Sequence, residues 1–198
     1  MRVASARKLA GVTLFAGAFQ FAFFMILSEI YYPDYNVSTN YISDLGATCR
    51  ATCQVFQPSS TIFNVSVSLL GVLLLATTYF LQRTFRRRLV SALLAMTGIG
   101  AVGVGIFPET AGALHPIFSL IAFLFGGLTA VSSYKLQKPP MSYFAVISGL
   151  ITLAALLLYS QSIYLGLGNG GMERVVLYPV LLWAIAFGGY LMAPETGS

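Results

Sequence analysis

One histidine, two cysteines and one tryptophan stand among 198 residues, of which only 9% are charged. His115 by itself completes neither a zinc nor a haem coordination set, so a zinc site and a bis-histidine cytochrome are excluded and no cofactor is expected. Cys49 and Cys53 lie four apart with no second pair, which lacks the two-residue spacing of redox pairs. A disulfide clip across a tight loop in an oxidising compartment is the expected state. So little charge excludes a soluble globular domain. The net charge of +5 comes from basic residues split among short segments that border apolar runs, a pattern that suits anionic lipid headgroups and gives no reason to expect nucleic acid.

Apolar residues are what the chain has in abundance: 57% are hydrophobic, and the mean hydropathy is +0.81. They come in blocks of about 18 to 24 residues, each long enough to cross a hydrocarbon core of roughly 30 Å. Spans are predicted at about 8–30, 60–81, 89–107, 116–134, 142–162 and 174–193, with a long loop over about 31–59. A spanning backbone must satisfy its own hydrogen bonds, and the blocks show no dyad alternation, so they are helices rather than barrel strands. The predicted fold is an all-α integral membrane protein, a six-transmembrane-helix bundle forming a single domain over 1–198. The opening "MRVASARKLAG" resembles a signal peptide, but its apolar run is too long and "SEIYYPDY" is a poor cleavage context, so it is expected to remain as a span.

Basic residues set the expected orientation. Arg2, Arg7, Lys8, Arg83, Arg86, Arg87, Arg88, Lys135 and Lys138 fall on one side, which should be cytoplasmic together with both termini; Arg50 and Arg174 fall on the other. A multi-pass protein of the cell membrane follows. Glu29, Asp34, Asp44, Glu109 and Glu173 map outside and Glu195 inside, so the residues with chemical potential gather on the outer face.

In the long outer loop, Tyr31, Tyr32, Tyr35 and Tyr41 suit an interfacial belt. "STNYISDLG" suggests a short interfacial helix capped by Ser38 or Thr39 and ended by Gly46, with Asn40, Ser43 and Asp44 on one face and Ile42 and Leu45 turned to lipid or bundle. That polar face either lines a site or is simply solvated. Asn36-Val37-Ser38 is an exposed glycosylation sequon, whereas Asn64-Val65-Ser66 lies too near the membrane for a glycosyl transferase. Asn64, Ser66 and Ser68 are therefore expected to bridge helices or face a cavity.

Gly98, Gly100 and Gly103 in "GIGAVGVG" match a dinucleotide-binding spacing but sit inside a span whose amides are already bonded. There they let a neighbouring helix come close. The third span should stop at Phe107-Pro108, because proline disfavours helical geometry in the residue before it, and the fourth should start at His115-Pro116. Only "TAGAL" separates Glu109 from His115, and Ser119 lies one turn below the histidine, so acid–base or nucleophilic chemistry and a plain polar turn are both compatible with the pattern. The last outer linker, "YLGLGNGGMERVVLYP", is glycine-rich and expected to be flexible. It delivers Glu173 and Arg174, the latter to pair with Glu173, Asp44 or Glu109 or to meet a lipid phosphate. Pro179 should kink the sixth helix, near Tyr178 and Trp183.

"NYISDLGATCRATCQVFQPSSTIFNVSVSLLG", "GIFPETAGALHPIFSLIAFLFGG" and "GGMERVVLYPVLLWAIAFGGYLM" resemble, in order and spacing, the archaeal and bacterial membrane family named domain of unknown function 998. The resemblance covers about residues 10–192 and carries over Asn40, Ser43, Asp44, Leu45, Gly46, Cys49, Cys53, Asn64, Gly71, Phe107, Pro108, His115, Glu173, Arg174, Tyr178, Pro179 and Trp183. Family members tend to have a histidine shortly after a Ser-Pro-like step; this chain reads "QPSSTIFN" there. "ISDLG" is also similar to eukaryotic six-span proteins of the damage-regulated autophagy modulator group. The family implies the fold and assigns no activity.

Three functions fit. The first is an outward-facing polar pocket of Asn40, Ser43, Asp44, Asn64, Glu109, His115, Ser119, Glu173, Arg174 and Tyr178 that binds, and moves, a lipid headgroup or small solute. The second is an intramembrane hydrolase or transferase acting on lipid or lipid-linked substrate, with His115 as acid or base and Asp44 or Glu109 as its partner. The third is a structural subunit of a membrane assembly.

Overall fold

Each apolar block forms one helix in the computed structural model, which describes residues 3–50 and 52–194. Arg2 and Glu195, assigned to the cytoplasmic side above, lie outside the described residues. The helices are α1 Val3–Tyr31, α2 Ser59–Phe85, α3 Arg88–Ile106, α4 Leu114–Ser132, α5 Met141–Ser160 and α6 Gly168–Met192. All six are long and apolar enough to cross a membrane, and the chain is a multi-pass membrane protein.

The helices form a ring. Each packs on its neighbours in sequence, and α6 closes on α1. From α2 onward short connections hold successive helices antiparallel: between α2 and α3 the chain reverses at Arg86, whose φ of 53° ends α2 with its N–H on the Gln82 carbonyl. Outer faces carry exposed Phe23, Ile26, Val72, Leu89, Ile147, Leu157 and Leu182. Such a surface would drive association in water but matches lipid tails.

Close approach between helices relies on small residues, as expected for "GIGAVGVG". Gly71 faces the α3 backbone at Gly98 and Val102, and Gly100 faces the α4 backbone at Ala122. At the end where the termini lie, the Arg7 guanidinium donates to the Tyr190 and Ala193 carbonyls, joining α1 to the end of α6. The opposite end is covered by residues 32–50 and 52–58 and is called here the loop end.

Three expectations about the loop end are corrected. The interfacial helix over "STNYISDLG" is only a 3₁₀ turn, Ser43–Leu45, with Ile42 and not Ser38 or Thr39 at its start. The Asn36 side chain instead accepts from the Ser38 and Thr39 amides, drawing residues 36–40 into a turn. Ile42 and Leu45 do turn into the bundle and are buried. Second, α6 begins at Gly168, so "GNGGMER" is helical rather than a flexible linker. The first amides of a helix lack internal partners, and here the Ser38 carbonyl accepts from Gly170 at 2.9 Å and from Gly171 at 3.4 Å. Gly170 is required because a Cβ there would run into the Asn40 carbonyl. Third, Tyr32 and Tyr35 are not belt residues: Tyr32 is buried and bonded to Thr48, and Tyr35 is half-buried.

Cys49 and Cys53 are disulfide-bonded and close a two-residue ladder, β1 Thr48–Cys49 against β2 Cys53–Gln54. α3 stops at Ile106 before Phe107-Pro108 as predicted, whereas α4 begins at Leu114, which places Pro116 third in the helix rather than first. Pro179 lies within a continuous α6, and Thr152 on α5 donates to the Val176 carbonyl beside it, satisfying backbone that proline disturbs.

Candidate functional site

The loop end brings all three polar stretches together, but it divides their residues between clamps and a cleft. Arg174 is the first clamp. Its guanidinium pairs with Glu29 at the end of α1, donates to the Tyr35 hydroxyl at 2.7 Å, and reaches the Val37 and Gly170 carbonyls at 3.0 Å. It pairs with none of Glu173, Asp44 or Glu109, its expected partners. Glu29 was overlooked because it sits at the far end of another helix, although an acid inside an apolar span is itself a signal. Burial holds the Tyr35 phenol above its ordinary value, partly offset by Arg174, so it stays neutral and donates onward to the Tyr41 carbonyl.

Asp44 is the second clamp. It is 1% exposed, and one carboxylate oxygen accepts from Arg50, the Asn40 amide and the Tyr41 backbone N–H. Those bonds fold the loop over the bundle. Asn64 is similarly structural: its amide reaches Ser60 and the Gly46 carbonyl, and it lies directly beneath Gly46. Asp44, Asn40, Asn64, Arg174 and Tyr178 line neither the cleft nor the internal cavity described next.

Ser43, Glu109, His115, Ser119 and Glu173 do share one, a cleft of about 480 Å³ between α4, α5 and the two 3₁₀ turns, Ser43–Leu45 and Glu109–Ala111. Glu109 accepts from the Ser43 hydroxyl and from the Cys49 amide, both at 2.9 Å. His115 is buried, with Nδ1 2.8 Å from the Phe107 carbonyl and Nε2 a long 3.5 Å from the Ser119 hydroxyl. A carbonyl only accepts, so Nδ1 carries a proton. Among the described residues no direct hydrogen bond joins His115 to Glu109 or Asp44. One oxygen of buried Glu173 accepts from the Ile42 amide and the other makes no hydrogen bond among the described residues.

Sequence reasoning missed Tyr159 and Ser160, which end α5 on the cleft wall, and treated Tyr41 as belt. The polar run "YSQS" at the close of the fifth span was the available signal. Burial, then the neighbouring Tyr164, raises the Tyr41 phenol, so it remains a neutral hydroxyl.

Below the cleft the helix ring encloses a second space of about 100 Å³. Its walls are apolar, including Leu14, Phe21, Leu70, Leu94, Leu181 and Trp183, the single tryptophan. The Thr97 and Thr129 hydroxyls that reach it are bonded to carbonyls of their own helices. Ser43, Ser119, Phe123 and Glu173 line both cleft and cavity, so the two meet at a polar threshold. From Glu173 to Trp183 along α6 is about 15 Å by helix rise. That is half of a hydrocarbon core of roughly 30 Å. Among the described residues no three of His, Cys, Asp and Glu converge to hold a metal.

A closed ring of six membrane-spanning helices, with the acids of the described residues gathered at one end, defines a small polytopic membrane protein built around an internal cavity. The chain belongs to the family described as protein of unknown function (DUF998), whose family model matches residues 15–190. No curated protein and no solved structure matches it, so the likeness of "ISDLG" to the damage-regulated autophagy modulator group finds no support there.

Proposed function

We propose that the protein binds an amphiphile, its polar head in the cleft and part of its chain in the cavity. The observation that supports this best is the shared threshold: the same four residues line a polar cleft and an apolar chamber. A cavity lined chiefly by apolar side chains takes apolar ligands. A molecule with a head and a tail gains from both spaces, whereas a small polar solute gains from the cleft alone. Entry is from the bilayer between α4 and α5, where α4 is the least buried of the six spans.

Gly126 on the cavity wall provides the test. A Cβ there meets only Thr97 at 3.6 Å and Val180 at 3.9 Å, so Gly126→Leu fills the cavity without displacing backbone. Native mass spectrometry of gently solubilised protein is expected to show a retained amphiphile in the wild type and little or none in Gly126→Leu. Equal retention by both would overturn the reading. The hydrolytic alternative has one contact in its favour, His115 Nε2 to Ser119, but the other ring nitrogen is given to a carbonyl rather than to an acid.

The cleft belongs to the outer leaflet of the cell membrane, with both termini cytoplasmic. The two cations at the loop end, Arg50 and Arg174, are each paired with an acid, while Arg83, Arg86, Arg87, Arg88 and Lys135 at the other end make no ion pair among the described residues. Unpaired basic residues beside span ends favour the cytoplasmic side. A cysteine at Arg87, the native pair being a disulfide, is expected to react with a membrane-impermeant maleimide only in inside-out vesicles; labelling in right-side-out vesicles reverses the assignment.

A further inference from the structure

Building on amphiphile binding, we infer that the head taken by the cleft is a cation, a primary or quaternary ammonium group. The charged side chains lining the cleft are Glu109 and Glu173, and no lysine or arginine lines it among the described residues. Both cations at this end are turned elsewhere, Arg174 to Glu29 and Arg50 to Asp44. The cleft therefore presents two carboxyl groups and no basic side chain among the described residues.

Glu173 makes the demand specific. It is 6% exposed and lies on the threshold, and one of its oxygens makes no hydrogen bond. A carboxyl oxygen that makes no hydrogen bond and borders both spaces keeps its acceptor capacity for a ligand, and an ammonium beside it supplies that interaction. Phenol rings stand next to it: Tyr41 and Tyr159 line the cleft with centroids 6.2 Å apart, and Tyr164 adjoins Tyr159 at 6.1 Å. Arg50 lies over Tyr41 at 5.4 Å, so this cluster already holds a cation against a phenol, and Tyr159 is the other phenol on the cleft wall. A phosphate or sulfate head would instead face two carboxyl groups at low dielectric. A sugar head finds hydroxyl partners but offers the carboxyl groups no cation.

Trp183 reports occupancy directly, being the only tryptophan and lying on the cavity wall. In vesicles of uncharged digalactosyldiacylglycerol, three dodecyl probes with bromine at the chain end are compared, bearing trimethylammonium, sulfate or maltoside heads. The ammonium probe is expected to half-quench Trp183 at about tenfold lower membrane concentration than the others, and Glu173→Gln to remove most of that preference. Glu109→Gln makes the same prediction if Glu173→Gln does not fold, and the wild-type comparison needs no variant. Equal quenching by all three probes, a preference for sulfate, or a preference that survives both substitutions overturns the cationic head while leaving amphiphile binding standing. Quenching by none, or equal quenching in Gly126→Leu, removes the binding reading and the inference with it.

Discussion

Arg174→Met is expected to destabilise the protein by about 3–5 kcal/mol, the usual cost of removing one partner from a buried ion pair. The guanidinium joins α1 through Glu29, the long loop through Tyr35 and Val37, and its own helix through Gly170. Without it, Glu29 is left as a poorly solvated charge and the turn that caps α6 loses its anchor. Unfolding in sodium dodecyl sulfate, followed through Trp183, gives the measurement. A loss below about 1 kcal/mol, the scale of a surface pair, would show that the network is ornamental. Combining Arg174→Met with Glu29→Gln should cost less than the sum of the two, since each single change strands the other's partner. Lysine is not expected to substitute, because one ammonium cannot reproduce the planar fork that reaches a carboxylate, a phenol and carbonyls together.

Glycine substitutions should separate by what each Cβ meets. At Gly71 the added carbon lies 2.5 Å from the Val102 nitrogen and 2.6 Å from the Gly98 carbonyl, and at Gly100 it lies 2.5 Å from the Ala122 nitrogen. These are backbone atoms, so whole helices must move. Gly71→Ala and Gly100→Ala are each expected to cost about 1–3 kcal/mol. Gly126→Ala meets only ordinary contacts and should stabilise by about 0.5–1 kcal/mol through improved helix propensity. The same unfolding measurement decides. If Gly126→Ala proves as damaging as the other two, close helix approach is not what these glycines provide.

Local features were legible without coordinates. The stop at Phe107-Pro108, the small-residue face of α3, the Cys49–Cys53 bond and the Ser119–His115 neighbourhood each follow from residues within a few positions of one another. What could not be read was which polar residue meets which. Asp44, in a family signature, gives one carboxylate oxygen to Arg50 and its own loop, while its other oxygen is buried without a hydrogen bond among the described residues. Tyr159 and Ser160 looked like an ordinary span end and prove to wall the cleft. The start of α6 was misjudged because four glycines in seven residues argue for a loop, while the Ser38 carbonyl that makes the helix viable comes from more than a hundred positions earlier.

By itself the sequence determined that this chain is a six-span membrane protein of its family. Transfer of an apolar block into lipid sums over some twenty consecutive residues, so no distant contact can reverse it. Only the tertiary structure decided the site. Five acids and two cations were assigned to the loop end, and nearly any pairing among them is compatible with the chain; the choice depends on separations of a few ångströms between groups on different helices. That choice pairs Arg50 and Arg174 with Asp44 and Glu29, and so leaves Glu109 and Glu173 as the carboxyl groups facing the cleft.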